Sequence, residues 1–187
     1  HKIWVMARPL RIQFENAYYD VTCRGNARQE IFSNDADRFA FLDLLGRSSE
    51  IYQTEILVYV LMPNHFHLLL KTPLGNLQEF MRHFNISYTS YYNRKHKRGG
   101  HLYQGRYKSF LVDADHYLQE VSRYIHLNPV RTKLKSGMTS EEKKEHLENY
   151  RWSSYSGYIS TCARRRFVRV KEVLAYFGGD TSQGRRK

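Results

Sequence analysis

Cysteine is nearly absent: Cys23 and Cys162 are the only two in 187 residues. Two isolated thiols build neither a disulfide framework nor a cysteine-based zinc site. No run of about 18 apolar residues occurs, so nothing in the sequence reads as a membrane span. No signal peptide is expected either, since the opening HKIWV lacks a long apolar run and reads as residues added ahead of Met6. Internal repeats and low-complexity tracts are missing. A reduced, cytoplasmic protein without a membrane partner is the expectation.

Acid is also scarce. Asp and Glu number 18 against 30 Lys and Arg, a formal charge of +12. Such an excess favours a polyanionic partner, because neutralising phosphates releases condensed counterions. Phe80 to Val112 contains no acid and carries Arg82, Arg94, Lys95, Lys97, Arg98, Arg106 and Lys108. A second acid-free stretch, Asn149 to Lys171, includes Arg151 and Arg164–Arg166. Tyr88, Tyr91, Tyr92, Tyr103 and Tyr107 are interleaved with the first patch. Basic grooves with aromatic platforms suit unpaired bases; solvated charge over core tyrosines is the plainer alternative.

What is present is enough for a core, with 41% apolar and 14% aromatic residues in a length that suits one domain. Ala17–Cys23 reads as a strand ended by Arg24-Gly25-Asn26. Asp35 can cap a helix to about Gln53, with Phe39, Leu42 and Leu45 on one face. Ile56–Met62 and His65–Thr72 read as a hairpin across Pro63-Asn64. Leu77, Phe80, Met81, Phe84, Tyr88 and Tyr91 form a helical stripe, which Arg94–Gly100 interrupts. A fourth strand is expected around Tyr107–Val112, then a helix from Asp113 or Asp115 to about Asn128, stopped by Pro129. The β-α-β-β-α-β order predicts an α+β, ferredoxin-like split βαβ fold, an antiparallel sheet with helices on one face. Its expected divisions are an N-terminal extension, 1–16, a catalytic domain, 17–131, and a basic C-terminal appendage, 132–187. Within the appendage, Thr139–Tyr150 reads as a charged exposed helix and Val168–Phe177 as a short final one.

His65 and His67 lie on the second hairpin strand. Side chains two apart on a strand point the same way about 7 Å from each other, so two imidazoles can converge on one divalent ion. Phe66, Leu68 and Leu70 then face the helices, which puts the histidines on the open side of the sheet. His-x-His alone is a weak signal, and ordinary strand histidines are the commoner case. Two histidines also leave a metal short of ligands. In YLQEVSRYIHLNP from Tyr117, the residues Leu118, Val121 and Ile125 form a buried stripe, with Tyr117, Tyr124 and Asn128 along its edge. Asn128 can offer a carboxamide oxygen to a metal, and a tyrosine one turn earlier can aim its phenol at the same place. Spacing leaves Tyr117 and Tyr124 as rival candidates.

MPNHFHLLL at 62–70, GHLYQGRYKSFLVD at 100–113 and YLQEVSRYIHLNPVR at 117–131 together resemble the single-tyrosine transposases of the HUH nuclease superfamily, REP-associated tyrosine transposases in particular. The resemblance runs from about Ala17 to Phe177. It implies a DNA transposase and endonuclease that nicks and rejoins single-stranded or hairpin DNA. It further implies Tyr124 as the nucleophile, His65, His67 and Asn128 as metal ligands, and Mg²⁺ or Mn²⁺ as the ion. A 5′-phosphotyrosine would conserve the bond energy, and the lack of a G-x-x-x-x-G-K-[ST] loop agrees with an ATP-independent reaction. Arg94, Lys95, Lys97, Arg98, Arg106, Lys108 and Arg131 are the expected DNA contacts, phosphate contacts serving to position rather than specify. Monomer and homodimer both remain open.

The rival from another class is a non-catalytic, domesticated DNA-binding regulator of hairpin elements, against which the full set His65, His67, Tyr124 and Asn128 argues. An RNA-binding domain of the RRM type would carry an RNP-like motif, and none is found.

Overall fold

Strands form here where side chains alternate between two covered layers. β1 (Ala17–Arg24), β2 (Glu55–Met62), β3 (His65–Thr72) and β4 (Lys108–Val112) make one sheet in the order β2-β3-β1-β4, every neighbouring pair antiparallel. The computed structural model describes residues 12–132 and 135–179. Most of the N-terminal extension expected over 1–16 lies outside the described residues, as do residues 180–187.

α1 (Asp35–Ile51) and α2 (Leu77–Lys95) cover one face of the sheet. Phe41 is the hub between the layers, its ring centroid 4.8–5.2 Å from those of Phe32, Phe66, Phe84 and Tyr88. Phe39, expected on this buried stripe, is exposed and packs edge-on against Trp152 instead. The cap of α1 also differs from expectation by one residue. Asn34, not Asp35, accepts from the Asp37 N–H, while the Asp37 side chain accepts from the Asn34 N–H in a reciprocal capping box.

The β2–β3 hairpin turn is held against the end of β1. Gly25 N–H donates to Asn64 O at 2.8 Å, and Ile31 N–H donates to Pro63 O at 2.9 Å. A Cβ on Gly25 would lie 2.1 Å from Gln29 O, so only glycine permits this close approach.

The second face is where expectation and structure part. α3 (Ala114–His126) crosses β2 and β3 there, opposite α1 and α2, so the histidine face is partly roofed rather than open. The chain then runs through α4 (Ser140–Asn149), α5 (Tyr155–Ile159) and α6 (Val170–Ala175). This tail packs along the free edge of β2: Leu61 N–H donates to Trp152 O at 2.8 Å, Ser154 N–H to Tyr59 O at 3.0 Å and Arg169 N–H to Ile56 O at 2.8 Å. β2 is buried from Ile56 to Met62 as a result, which explains its continuous apolar run. Among the described residues no helix is long and apolar enough to cross a membrane.

Candidate active site

β3 alternates as its sequence requires. Phe66 enters the core against Phe41, Phe84 and Tyr103, while His65 and His67 project to the α3 side. Their ring centroids are 5.6 Å apart and nearly perpendicular. Each ring has an oxygen at Nδ1: Asn64 Oδ1 at 2.8 Å from His65, and Asp20 Oδ1 at 3.2 Å from His67. An acceptor there favours the Nδ1–H tautomer and leaves the Nε2 lone pair for a ligand. Burial, then the neighbouring His67 and Arg24, push His65 down to about 4, so at neutral pH its ring is uncharged and able to coordinate.

α3 presents Tyr124 to this pair. Asp113 caps the helix by accepting from Asp115 N–H, and Leu118, Ser122, Ile125 and His126 form its buried stripe. That phase sets Tyr124 at the rim, 42% exposed, with its ring centroid 5.8 Å from that of His67 and nearly perpendicular to it. The Arg131 guanidinium lies 4.8 Å from the centre of the Tyr124 ring. Tyr117, the other candidate, is exposed, and among the described residues its ring meets only that of His116.

Asn128 sits in the turn that ends α3. Its Nδ2 donates to Tyr124 O at 3.0 Å and Ile125 O at 3.2 Å, satisfying carbonyls that the helix end leaves unpaired. The carboxamide oxygen accepts no hydrogen bond from the described residues. Among those residues no three His, Cys, Asp or Glu side chains cluster as a metal cage. Two imidazoles and one carboxamide oxygen nevertheless suit a divalent ion that keeps open positions for water and phosphate.

Residues 13–128 match the family model of the IS200-like transposases. The chain belongs to that family. A solved REP-associated tyrosine transposase, bound to a REP hairpin, has the same fold, with a TM-score of 0.65 and 14% identity over 86% of this chain and 89% of that one. A putative transposase from Deinococcus radiodurans R1 is 18% identical over 64% of this chain and 95% of its own, with a TM-score of 0.45. No curated protein matches.

The other expected site residues of this IS200-like transposase divide between two regions. Lys108 is exposed and in register with Thr22, which in turn is the register partner of His67. Arg106 is exposed on the loop held to the end of β1 by Gln104 N–H donating to Arg24 O at 2.8 Å. Lys108 and Arg131 lie on the histidine side. Arg94, Lys95, Lys97 and Arg98 instead stand at the end of α2, in the layer across the sheet. There Lys95 has a structural task, its Nζ lying 2.6 Å from Asp37 Oδ1, and Arg98 lies over the Tyr92 ring.

Three residues escaped the sequence reading. Asp20 holds His67, and Arg24 is the cross-strand partner of His65. Both share the Tyr18, Asp20, Thr22, Arg24 phase of β1, so alternation together with a known register would have found them. The third is His126, which is buried, with its Nε2 2.9 Å from Ser154 Oγ. Burial pushes it down to about 3, so it packs as a neutral ring against Tyr155 and Tyr158.

Proposed function

We propose that this transposase cuts and rejoins single-stranded DNA flanking hairpins, with Tyr124 as nucleophile and a divalent ion held by His65, His67 and Asn128. The observation that carries this is the meeting of Tyr124 with His67 on a helix whose end is capped by Asn128. REP-hairpin binding by the REP-associated relative supports the choice of substrate.

A phenol is a poor nucleophile near neutrality, with an ordinary pKa of about 10, so position and charge neutralisation carry the rate. Bound Mg²⁺ or Mn²⁺ would supply Lewis-acid neutralisation of the phosphate, and imidazole ligands favour manganese at least as well as magnesium. His65 and His67 would hold that ion through Nε2, since each has its Nδ1 beside an oxygen. Arg131, over the Tyr124 ring, steers a phosphate toward the phenol. The Tyr124 oxygen attacks phosphorus, the bond from phosphorus to the 3′ oxygen breaks, and the phenol proton passes through solvent to that leaving oxygen. The product is a 5′-phosphotyrosine and a free 3′-hydroxyl. Attack by another 3′-hydroxyl reverses the exchange without an external energy source.

The test is a hairpin oligonucleotide with single-stranded flanks, labelled at its 3′ end, incubated with Mn²⁺ and run on a denaturing gel. Wild type and Tyr117→Phe should give a covalent protein–DNA band. Tyr124→Phe, or EDTA, should abolish it while binding persists. An adduct that survives in Tyr124→Phe would move the nucleophile elsewhere. Wild-type binding without any adduct would favour the non-catalytic regulator.

A further inference from the structure

α3 roofs β2 and β3 but leaves β4 less covered, and there an aromatic side chain stands in the open. Phe110 is 59% exposed, and among the described residues no other ring packs against it. Register fixes the side of the sheet it occupies. Phe110 pairs with Asp20, whose carboxylate reaches His67, and Lys108 pairs with Thr22, the partner of His67. Cross-strand partners project to the same face, so Lys108, Phe110 and the two histidines share one surface. Two strand spacings, about 10 Å, separate β4 from β3.

We infer that Phe110 and Lys108 form a subsite for one unpaired nucleotide next to the scissile phosphate, its base stacked on Phe110 and its phosphate on Lys108. This rests on the proposed DNA cleavage and adds the path of the flanking strand. The local charges sort the two halves of the nucleotide. Asp20, in the Phe110 row, repels a phosphate but tolerates a base, whereas the neighbouring row, Lys108–Thr22–His67, carries the cation. An exposed ring with a cation two residues away matches how single strands are held without base pairing, by stacking on an aromatic and by backbone charge. A paired base has its faces occupied by its neighbours in the stack, so the subsite selects the flank over the stem.

The experiment measures binding in EDTA, so no cleavage intervenes. Hairpins with 2-aminopurine in the single-stranded flank are compared with blunt hairpins lacking the flank. Phe110→Ala should weaken binding of the flanked hairpin about 5- to 150-fold and abolish the 2-aminopurine quench, leaving blunt hairpins unaffected. Phe110→Trp should keep affinity, and its indole emission should fall on adding flanked DNA. Lys108→Ala should weaken binding and flatten its salt dependence. Unchanged affinity and quench in Phe110→Ala would overturn the subsite. So would a shift from dimer to monomer in that variant by light scattering with DNA binding intact, which would assign the surface to a second copy of the chain. The adduct assay is independent: an adduct with no Phe110 effect sinks only the subsite, whereas Phe110-dependent stacking without an adduct sinks only the cleavage.

Discussion

An imidazole ligates a metal well only when its second nitrogen is fixed. The Asp20 carboxylate at 3.2 Å from His67 Nδ1 does that work for the ring nearest Tyr124, and Asn64 does it for His65. Removing such a partner ordinarily lowers metal affinity about 10- to 100-fold, because the ring turns more freely and its basicity falls. Asp20→Ala should therefore weaken Mn²⁺ binding by that factor, read from the free-Mn²⁺ signal in electron paramagnetic resonance without DNA. Asp20→Asn, which keeps an acceptor oxygen, should fall between the two. Wild-type affinity in Asp20→Ala, with an unchanged circular dichroism spectrum, would show that the carboxylate does not serve the ring.

At the scale of elements, the helical layer is pinned by one buried carboxylate. Asp37 is 0% exposed, and it accepts from Ser33 N–H at 2.8 Å, Asn34 N–H at 3.2 Å and Lys95 Nζ at 2.6 Å, with His96 Nε2 at 3.0 Å. It thus joins the start of α1 to the end of α2. Burial by itself would raise its pKa, but hydrogen bonds from Lys95, His96 and Ser33 outweigh that and hold it below the ordinary carboxylate range. A lowered folded-state pKa contributes stability above the unfolded value near 4, and that contribution is lost as pH falls through the folded value. Thermal stability should accordingly drop in acid below about pH 4, and Asp37→Asn should remove much of that dependence. Because Lys95 stays partly exposed, the cost of Asp37→Asn at pH 7 should sit near about 2–3 kcal/mol, a fall in Tm of roughly 4–12 °C. A variant that melts like wild type, with the same acid profile, would show that the link carries no stability.

The same elements show what could be read in advance. The hairpin and the shared face of His65 and His67 follow from a period of two, and the structure has them; the stripe of α3 holds at Leu118 and Ile125, but Ser122 and His126 complete it and Val121 is only partly buried. The phase of α1 did not follow, because Phe39–Leu42–Leu45 and Phe41–Leu42–Leu45 are both helical stripes. The choice between them was made by Trp152, more than a hundred residues later, which takes Phe39 outward. Asp20 lay hidden for a similar reason: a single carboxylate in a strand has no local signature until the register with β3 is known. The site motifs are local in sequence; their supports are not.

For the whole molecule, the consequential feature is the tail. Left alone, β2 would be an edge strand, offering unpaired amides and carbonyls along an apolar surface, the usual template for aggregation. Trp152, Ser154 and Arg169 take up that edge through backbone bonds, and Tyr150 and Tyr158 donate their hydroxyls to Leu61 O and Leu57 O at 2.7 and 2.8 Å. Ser154 Oγ also accepts from Tyr59 N–H at 3.0 Å and meets His126, which ties α3, and with it Tyr124, to the strand beneath. The tail thus covers the sheet edge and steadies the helix that carries Tyr124. Truncation after Arg131 should leave a chain that aggregates or fails to melt cooperatively, as seen by size-exclusion chromatography and circular dichroism. Ser154→Ala is the milder probe: it leaves the buried Tyr59 N–H and His126 without their shared partner, at about 1–3 kcal/mol, and should lower Tm without aggregation. A truncated chain that stays monodisperse, melts like the full chain and still forms the Tyr124 adduct would show that the sheet and α3 stand without the tail.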